Sequence, residues 1–134
     1  MNHAQSLIPF QPTGIIKTMP MEFFDTYGME RFIREFYTNP NKNHDSYFMF
    51  TLSGQPKYEV LYFYLLFDGA IRYRANIIQF RGEATYAFPK GNTIHGKAWV
   101  DIGAPVIKFN EPIPMKGFQG FRYTDGSFER RTKI

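Results

Sequence analysis

Two long runs of aromatic and β-branched residues flank an Asp68-Gly69 pair, and no other feature of the chain constrains its fold as strongly. The runs read KYEVLYFYLLF before the pair and AIRYRANIIQF after it, over residues 57–80. An Asp-Gly pair tolerates the positive φ angles of a type I′ turn, which joins two antiparallel strands through two residues. The sequence therefore predicts a β-hairpin that turns at this pair.

A two-residue turn also predicts the register of the hairpin. With Phe67 opposite Ala70, regular pairing places Leu65 opposite Arg72 and Phe63 opposite Arg74. The first strand is apolar on both faces, which indicates a central position in a sheet. The second strand carries its arginines on one face only.

The rest of the chain reads as further short strands around one helical segment. Apolar residues at helical spacing predict a helix from Pro20 toward Tyr37, since proline suits the first turn of a helix. Gly28 weakens its middle, so two short helices or one kinked helix are the alternatives. Strands are predicted over residues 15–18, 46–52, 85–88, 97–101 and 105–109, and an extended segment ends at residues 121–123. We expect residues 1–14 to form an irregular arm and residues 125–134 to form a frayed basic tail.

These elements fit a single domain of the α+β class. Many strands against one helical segment favour a small curled antiparallel β-barrel with the helix packed on it. A two-layer α+β sandwich is the alternative. The 134 residues, of which 43% are hydrophobic and 19% aromatic, can supply one core and are too few for two domains.

Composition excludes several kinds of chemistry. The chain has no cysteine, which excludes disulfides, thiolate metal sites and a cysteine nucleophile. Its longest apolar run, VLYFYLLF, is far shorter than the roughly 18 residues of a membrane-spanning helix. The first residues lack a basic region before their apolar stretch, so no signal peptide is expected and the expected location is cytoplasmic. Membrane partners are not expected.

Positive charge is concentrated in the second half of the chain. Residues 1–67 hold five Lys/Arg and six Asp/Glu, whereas residues 68–134 hold eleven Lys/Arg and six Asp/Glu. A basic half of the chain fits a polyanionic partner, because Lys and Arg neutralise phosphates and release their counterions. The alternative is an ordinary soluble surface with a basic tail.

Two groups of residues are candidates for a binding site. Arg72 and Arg74 could stack on aromatic rings or clamp a phosphate, or they could merely solvate one strand face. Trp99, which lies between Lys97 and Asp101 on one strand face, is either a core residue or one wall of an aromatic cage. Core packing is the more usual role of a single tryptophan.

The segment over residues 115–123, MKGFQGFRY, combines glycines, aromatic residues and cations. Glycines let a ligand approach the backbone, aromatic rings stack on bases, and cations follow phosphates. The candidate ligand-binding residues in this segment are Lys116, Phe118, Phe121, Arg122 and Tyr123. The alternative is an irregular strand in which the glycines mark a bulge and the aromatic residues fill the barrel.

Sequence motifs for catalysis are missing. The chain contains neither an HExxH zinc pair, nor a GxSxG nucleophile elbow, nor a Walker A loop. His3, His44 and His95 are scattered, and Asp45 beside His44 is only a weak hint of an acid/base pair. We therefore assign no catalytic residue, metal or cofactor, and we regard an enzyme as the less favoured class.

The hairpin at residues 58–80, the strand at 97–101 and the closing segment at 117–123 together resemble PUA-like domains, the superfamily with the EVE, ASCH and YTH branches. The resemblance covers roughly residues 46–123. It implies a pocket that accepts an RNA base or a flipped DNA base, often a modified one, between aromatic walls. The implied walls are Trp99, Phe118, Phe121 and Tyr123, and the cations near the nucleic-acid backbone are Arg72, Arg74, Lys116 and Arg122.

The leading hypothesis is a non-enzymatic domain that binds RNA or DNA and reads a base in an aromatic pocket. One alternative is a β-barrel that binds a small molecule in an open apolar interior. The other is an interaction protein that assembles through its arm or a sheet edge, with a homodimer among the outcomes.

Overall fold

A computed structural model describes residues 11–19, 48–87 and 93–131 of the chain. The strands are β1 (Gly14–Thr18), β2 (Phe48–Leu52), β3 (Tyr62–Phe67), β4 (Ala70–Arg81), β5 (Ala84–Ala87), β6 (Thr93–Gly96), β7 (Ala98–Pro114) and β8 (Phe121–Thr124), and a 3₁₀ helix (Ser127–Arg131) follows them. Six strands form one sheet in the order β2-β7-β4-β3-β1-β8, while β5 and β6 pair separately. The large sheet curls into a half-barrel, so the predicted β-rich, barrel-like architecture is confirmed.

Two parts of the predicted fold class need correction. Strands β1 and β3 run parallel, with Gly14 opposite Tyr62, so the sheet is mixed rather than antiparallel. The described ranges contain the short 3₁₀ helix as their only helical element, so they do not support an α+β class. The predicted helix at residues 20–37 and residues 1–10 of the predicted arm lie outside these ranges.

The Asp-Gly hairpin is present and its turn is as predicted. Asp68 has a φ of 51° and Gly69 a φ of 74°, and a type I′ turn requires positive values at both positions. Phe67 lies opposite Ala70. Strand β3 has neighbours on both sides in the sheet, which confirms its central position.

The predicted register is wrong beyond the first two pairs of the hairpin. The pairing shifts between Leu65 and Leu66, so Leu65 lies opposite Tyr73 and Tyr64 opposite Arg74. Arg72 is the extra residue in this β-bulge. Because of the bulge, the side chains before and after Arg72 leave the regular alternation that the prediction assumed.

Three further segments differ from the sequence prediction. The two strands predicted over 97–101 and 105–109 form one continuous strand, β7, in which Gly103 pairs with Asn76. The predicted single strand near residue 85 has a partner, because β5 pairs with β6. The chain after Asp125 does not fray directly, since Ser127–Arg131 forms the 3₁₀ helix.

The sheet has an apolar core on each face. The first core comprises Ile15, Met19, Phe50, Leu52, Val60, Phe63, Leu65, Ala75, Ala98, Val100, Ile102 and Val106. The second core comprises Ile16, Tyr64, Leu66, Ile71 and Phe109, with Met115, Phe118 and Phe128 among the residues packed against it. The loop after β7 and the 3₁₀ helix therefore cover the second face.

Candidate functional site

Arg72 binds the hairpin turn that precedes it. Its Nε donates a hydrogen bond to the carbonyl oxygen of Phe67 over 2.9 Å, and its terminal nitrogen donates to the carbonyl of Asp68 over 2.7 Å. The Asp68 carboxylate lies 3.8 Å away. Arg72 thus supplies partners to carbonyl groups at the turn, and much of its donor capacity is used there.

Arg74 also has partners within the fold. One terminal nitrogen lies 2.7 Å from Oε1 of Glu129, and the guanidinium carbon lies 4.3 Å from the centre of the Tyr62 ring. The other carboxylate oxygen of Glu129 accepts a hydrogen bond from the hydroxyl of Tyr64. Burial and the neighbouring Glu129 raise the pKa of Tyr64 far above its usual value. The sequence contained no signal for Glu129, which lies in the expected tail.

Trp99 occupies the core position that the sequence favoured over a cage. Its side chain is 1% exposed, and its indole Nε1 donates a hydrogen bond to the carbonyl of Ala84 over 3.0 Å. The Tyr86 ring meets it edge-on at 4.9 Å. Trp99 lies on β7, which β4, β3 and β1 separate from β8 in the sheet order. Its neighbours Ala98 and Val100 belong to the first core, against which Phe121 and Tyr123 pack, so alternation along β7 places Trp99 on the opposite face of the sheet from those two rings.

A buried carboxylate that sequence reasoning did not select lies on the same strand. Asp101 is fully buried, and its Oδ2 accepts hydrogen bonds from Arg81 and Gln79, both over 2.8 Å. Its Oδ1 has no hydrogen-bond partner in the structure as described. The available sequence signal was alternation, which puts Asp101 on the same face of β7 as Trp99. The neighbouring strand β4 covers Asp101 and supplies its arginine partner, and spacing along β7 does not indicate either.

The loop before β8 brings two of the predicted site residues, Phe118 and Arg122, into contact. The backbone N–H of Phe118 donates a hydrogen bond to the hydroxyl of Thr18 over 2.9 Å, which fixes the loop against β1. The guanidinium carbon of Arg122 lies 4.0 Å from the centre of the Phe118 ring. Lys116 and Arg122 are both exposed. This arrangement presents two cations and an aromatic ring at the edge of the sheet.

Alternation along β8 places Phe121 and Tyr123 on the other face of the sheet. Their rings meet edge-on at 5.5 Å, and Tyr58 contacts Tyr123 at 4.9 Å. The Tyr123 hydroxyl accepts a hydrogen bond from the backbone N–H of Lys57 over 2.6 Å. Tyr58 is 46% exposed, which makes it the most accessible ring of this group. Sequence reasoning did not select it.

We call the residues that meet around the last strand the β8 edge surface. Its members are Lys57, Tyr58, Lys116, Phe118, Arg122 and Tyr123. Among the described strands, β8 pairs with β1 only, so it is an edge strand of that set, with Arg122 on one face and Tyr123 on the other. A ligand that follows this edge can reach cations and aromatic rings on both faces.

A groove of about 450 Å³ adjoins this surface. Residues 56–61 and 77–80 line it, and they include Leu61, which is 64% exposed, and Ile78, which is 47% exposed. Tyr58 belongs to both the groove and the β8 edge surface. Most of the groove surface is apolar, so it suits a ring or an alkyl group.

The described arginines and lysines differ in how they are used. Arg72, Arg74 and Arg81 each form an ion pair with a carboxylate. By contrast, the cations for which the described residues provide no ion pair are Lys17, Lys57, Lys97, Lys108, Lys116 and Arg122. Three of these six belong to the β8 edge surface, so free positive charge is concentrated there.

An exposed hydrogen-bonded series lies on the small sheet. His95 contacts Glu83 through Nε2 and Thr85 through Nδ1, each over 2.8 Å. This is the order of groups in a catalytic triad, but these side chains are exposed and none of them lines the groove described above. Within the described ranges no three His, Asp or Glu side chains group as metal ligands.

Comparisons of the chain with protein-family models, curated proteins and solved structures find no match. In the described part of the chain, no helix has the length and apolar character needed to cross a membrane.

Proposed function

We propose that the protein is a non-enzymatic domain that binds single-stranded nucleic acid along the β8 edge surface. The observation that carries this proposal is the Arg122 guanidinium, 4.0 Å from the centre of the Phe118 ring. Lys116, two positions before Phe118 in the chain, is also exposed. Neither cation has an acidic partner among the described residues. The resemblance to PUA-like domains stays a prediction, and it agrees with this class of ligand.

Electrostatics support a phosphate partner at this surface. A cation that is already paired gains little from a phosphate, because it must first give up its carboxylate. Lys57, Lys116 and Arg122 do not carry that cost, and they can release counterions from a nucleic-acid backbone. In the structure Arg72 contacts the hairpin turn and Arg74 contacts Glu129. The proposed contacts to the nucleic-acid backbone therefore differ from those expected from the sequence.

Aromatic side chains support contact with unpaired bases. Tyr58 is exposed, and the edge-on contact with Tyr123 holds its ring in place. A base stacked on such a ring contributes about 1–3 kcal/mol and needs no particular base identity. Bases of a single strand are accessible to stacking, whereas those of a duplex are not. A single-stranded ligand is therefore favoured over a duplex.

The test is fluorescence anisotropy with labelled RNA and DNA single strands and a DNA duplex of equal length, titrated over a series of salt concentrations. We expect the single strands to bind more tightly than the duplex and binding to weaken as salt rises. Replacing Arg122 or Lys116 with Ala should lower the slope of log affinity against log salt by about 0.7 for a single strand. Lys97→Ala is the matched control, because Lys97 is an exposed cation that is not a member of the β8 edge surface.

Arg122→Lys separates charge from stacking. This variant should keep the salt slope while losing affinity, because an ammonium lacks the planar face of guanidinium. Absence of binding at low salt would contradict the proposed function. An equal loss in Lys97→Ala and Arg122→Ala would contradict the proposed location, since net charge alone would then explain the binding.

The groove favours a second candidate function, the binding of an apolar small molecule. Its volume of about 450 Å³ lies within the range of small-molecule sites. A hydrophobic probe dye should then fluoresce in the groove, with little dependence on salt, and Ile78→Asp should abolish the signal. An unchanged dye signal in Ile78→Asp would argue against this function.

A further inference from the structure

The 3₁₀ helix at Ser127–Arg131 covers a group of side chains that could bind a ligand in its place. We define the Arg74 site as Tyr62, Tyr64, Arg74 and Phe109. Tyr64 and Phe109 belong to the second core, their rings are stacked with centres 6.3 Å apart, and both are 1% exposed or less. The guanidinium of Arg74 lies against the Tyr62 ring. The site therefore combines an aromatic floor with an oriented cation.

Two adjacent residues of the 3₁₀ helix occupy this site. The Phe128 ring meets the Tyr64 ring edge-on with centres 4.9 Å apart. The Glu129 carboxylate binds Arg74 through Oε1 and the Tyr64 hydroxyl through Oε2. One aromatic ring and one anionic group are thus held side by side against Arg74 and Tyr64. That pair of groups is also what a nucleoside monophosphate presents.

The covering segment is short and its connection to β8 is suited to a turn. Its helix has five residues, and Gly126 before it has a φ of 75°, a conformation that glycine adopts without strain. A Cβ atom at Gly126 would lie 3.1 Å from the Tyr64 hydroxyl, so glycine also permits the close approach to the site. Moving this segment would expose the Arg74 site without separating any pair of strands.

We propose that the Arg74 site binds a planar ring joined to a phosphate, and that Phe128 and Glu129 occupy it as an internal competitor. The ring of the ligand would take the place of Phe128, and its phosphate would take the place of the Glu129 carboxylate. Guanidinium binds phosphate through the same donors that it uses for carboxylate. This inference goes beyond the proposed function, because the Arg74 site shares no residue with the β8 edge surface.

The competition predicts that weakening the internal contacts raises affinity. A ligand that needs the open form binds with an apparent affinity reduced by the fraction of open molecules. The full-length double variant Phe128→Ala/Glu129→Gln removes the ring and the negative charge of the competitor. We expect it to bind adenosine 5′-monophosphate about tenfold more tightly than the original chain, by calorimetric titration. Adding Arg74→Met to the double variant should abolish this gain.

Adenosine and inorganic phosphate, each alone, are the matched probes, and both should bind more weakly than the monophosphate. A folded double variant that binds the monophosphate no more tightly than the original chain would overturn the proposal. A short RNA with a 5′-phosphate identifies the source of the ligand. If Arg74→Met abolishes binding of this RNA, the ligand of the Arg74 site is the end of a nucleic acid. If Arg74→Met abolishes binding of the monophosphate but not of the RNA, the ligand is a free nucleotide.

If the double variant fails to fold, a second measurement on the original chain tests the proposal. Amide NMR of the original chain, titrated with adenosine 5′-monophosphate, should shift the resonances of residues 126–129 as the segment leaves the site. No shift of these resonances at saturation would overturn the proposal. Lys97→Ala, which changes an exposed cation outside both sites, should leave this titration unchanged. Because the readout is the resonances of residues 126–129, failure of the β8 edge surface and failure of the Arg74 site are distinguishable.

Discussion

The ion pair between Arg81 and Asp101 predicts an asymmetry between two single substitutions. The Arg81 Nε lies 2.8 Å from Asp101 Oδ2, and the side chain of Asp101 is 0% exposed while that of Arg81 is 30% exposed. Arg81→Met keeps an aliphatic side chain of similar length and removes the charge. It leaves a buried carboxylate with the Gln79 amide as its remaining donor among the contacts described above. Asp101→Ala instead leaves a guanidinium that water can reach.

The expected magnitudes follow from these exposures. Stranding one charge of a buried pair costs about 3–5 kcal/mol, and we expect Arg81→Met near the lower end because Gln79 still donates. Asp101→Ala loses two hydrogen bonds and leaves a small void, at a cost of about 1–2 kcal/mol, since Arg81 and Gln79 regain hydration. The double substitution should cost less than Arg81→Met alone, because no buried charge remains without its partner.

Urea unfolding measures these differences in the free energy of unfolding, and the buried Trp99 provides the fluorescence signal. Lys97→Met is the matched control: it replaces an exposed cation that has no ion pair within the described ranges, and it should change stability by less than about 0.5 kcal/mol. Equal costs for Arg81→Met and Asp101→Ala would refute the reasoning, because the burial of Asp101 would then not determine the energetics.

Two further predictions concern pH. Burial lowers the pKa of the Lys17 ammonium below its usual 10.5, so the unfolded chain binds more protons just below that value and stability should rise with pH in that interval. Lys17→Met should remove this rise and increase stability at neutral pH, on the order of 1 kcal/mol. Urea unfolding across pH measures both changes, and a lower stability of the variant at neutral pH would contradict the prediction. Burial and Glu129 raise the pKa of Tyr64 in the folded chain, so its hydroxyl loses its proton at a lower pH in the unfolded chain. Stability should therefore fall as pH rises above about 10. Tyr64→Phe should flatten that alkaline fall, and an unchanged profile in thermal melts would contradict the assignment.

The hairpin illustrates how far local sequence information extends. The turn and the first pair, Phe67 with Ala70, depend on two residues and their backbone angles, and both were predictable. The shift at Arg72 was not, because it depends on hydrogen bonds from that side chain to turn carbonyls and on which face each neighbouring residue can bury. Alternation alone cannot indicate where one residue will be left out of the pairing.

The candidate site shows the same division. The composition of residues 115–123 predicts a binding segment, and the structure places the Arg122 guanidinium over the Phe118 ring there. Trp99 shares the aromatic character but lies buried on β7. Tyr58 gave no signal, since its exposure depends on the path of the chain before β3.

By itself, the sequence determined the turn, the central apolar strand, the β-rich composition and the excess of positive charge in the second half, because each depends on neighbouring residues or on simple counts. Only the tertiary structure decided which cations are paired. Arg74 and Glu129 are 55 positions apart, and Arg81 and Asp101 are 20 apart. Ion pairs form between groups that folding brings within a few ångströms, so the strand order and the bulge selected the cations that remain open to a ligand.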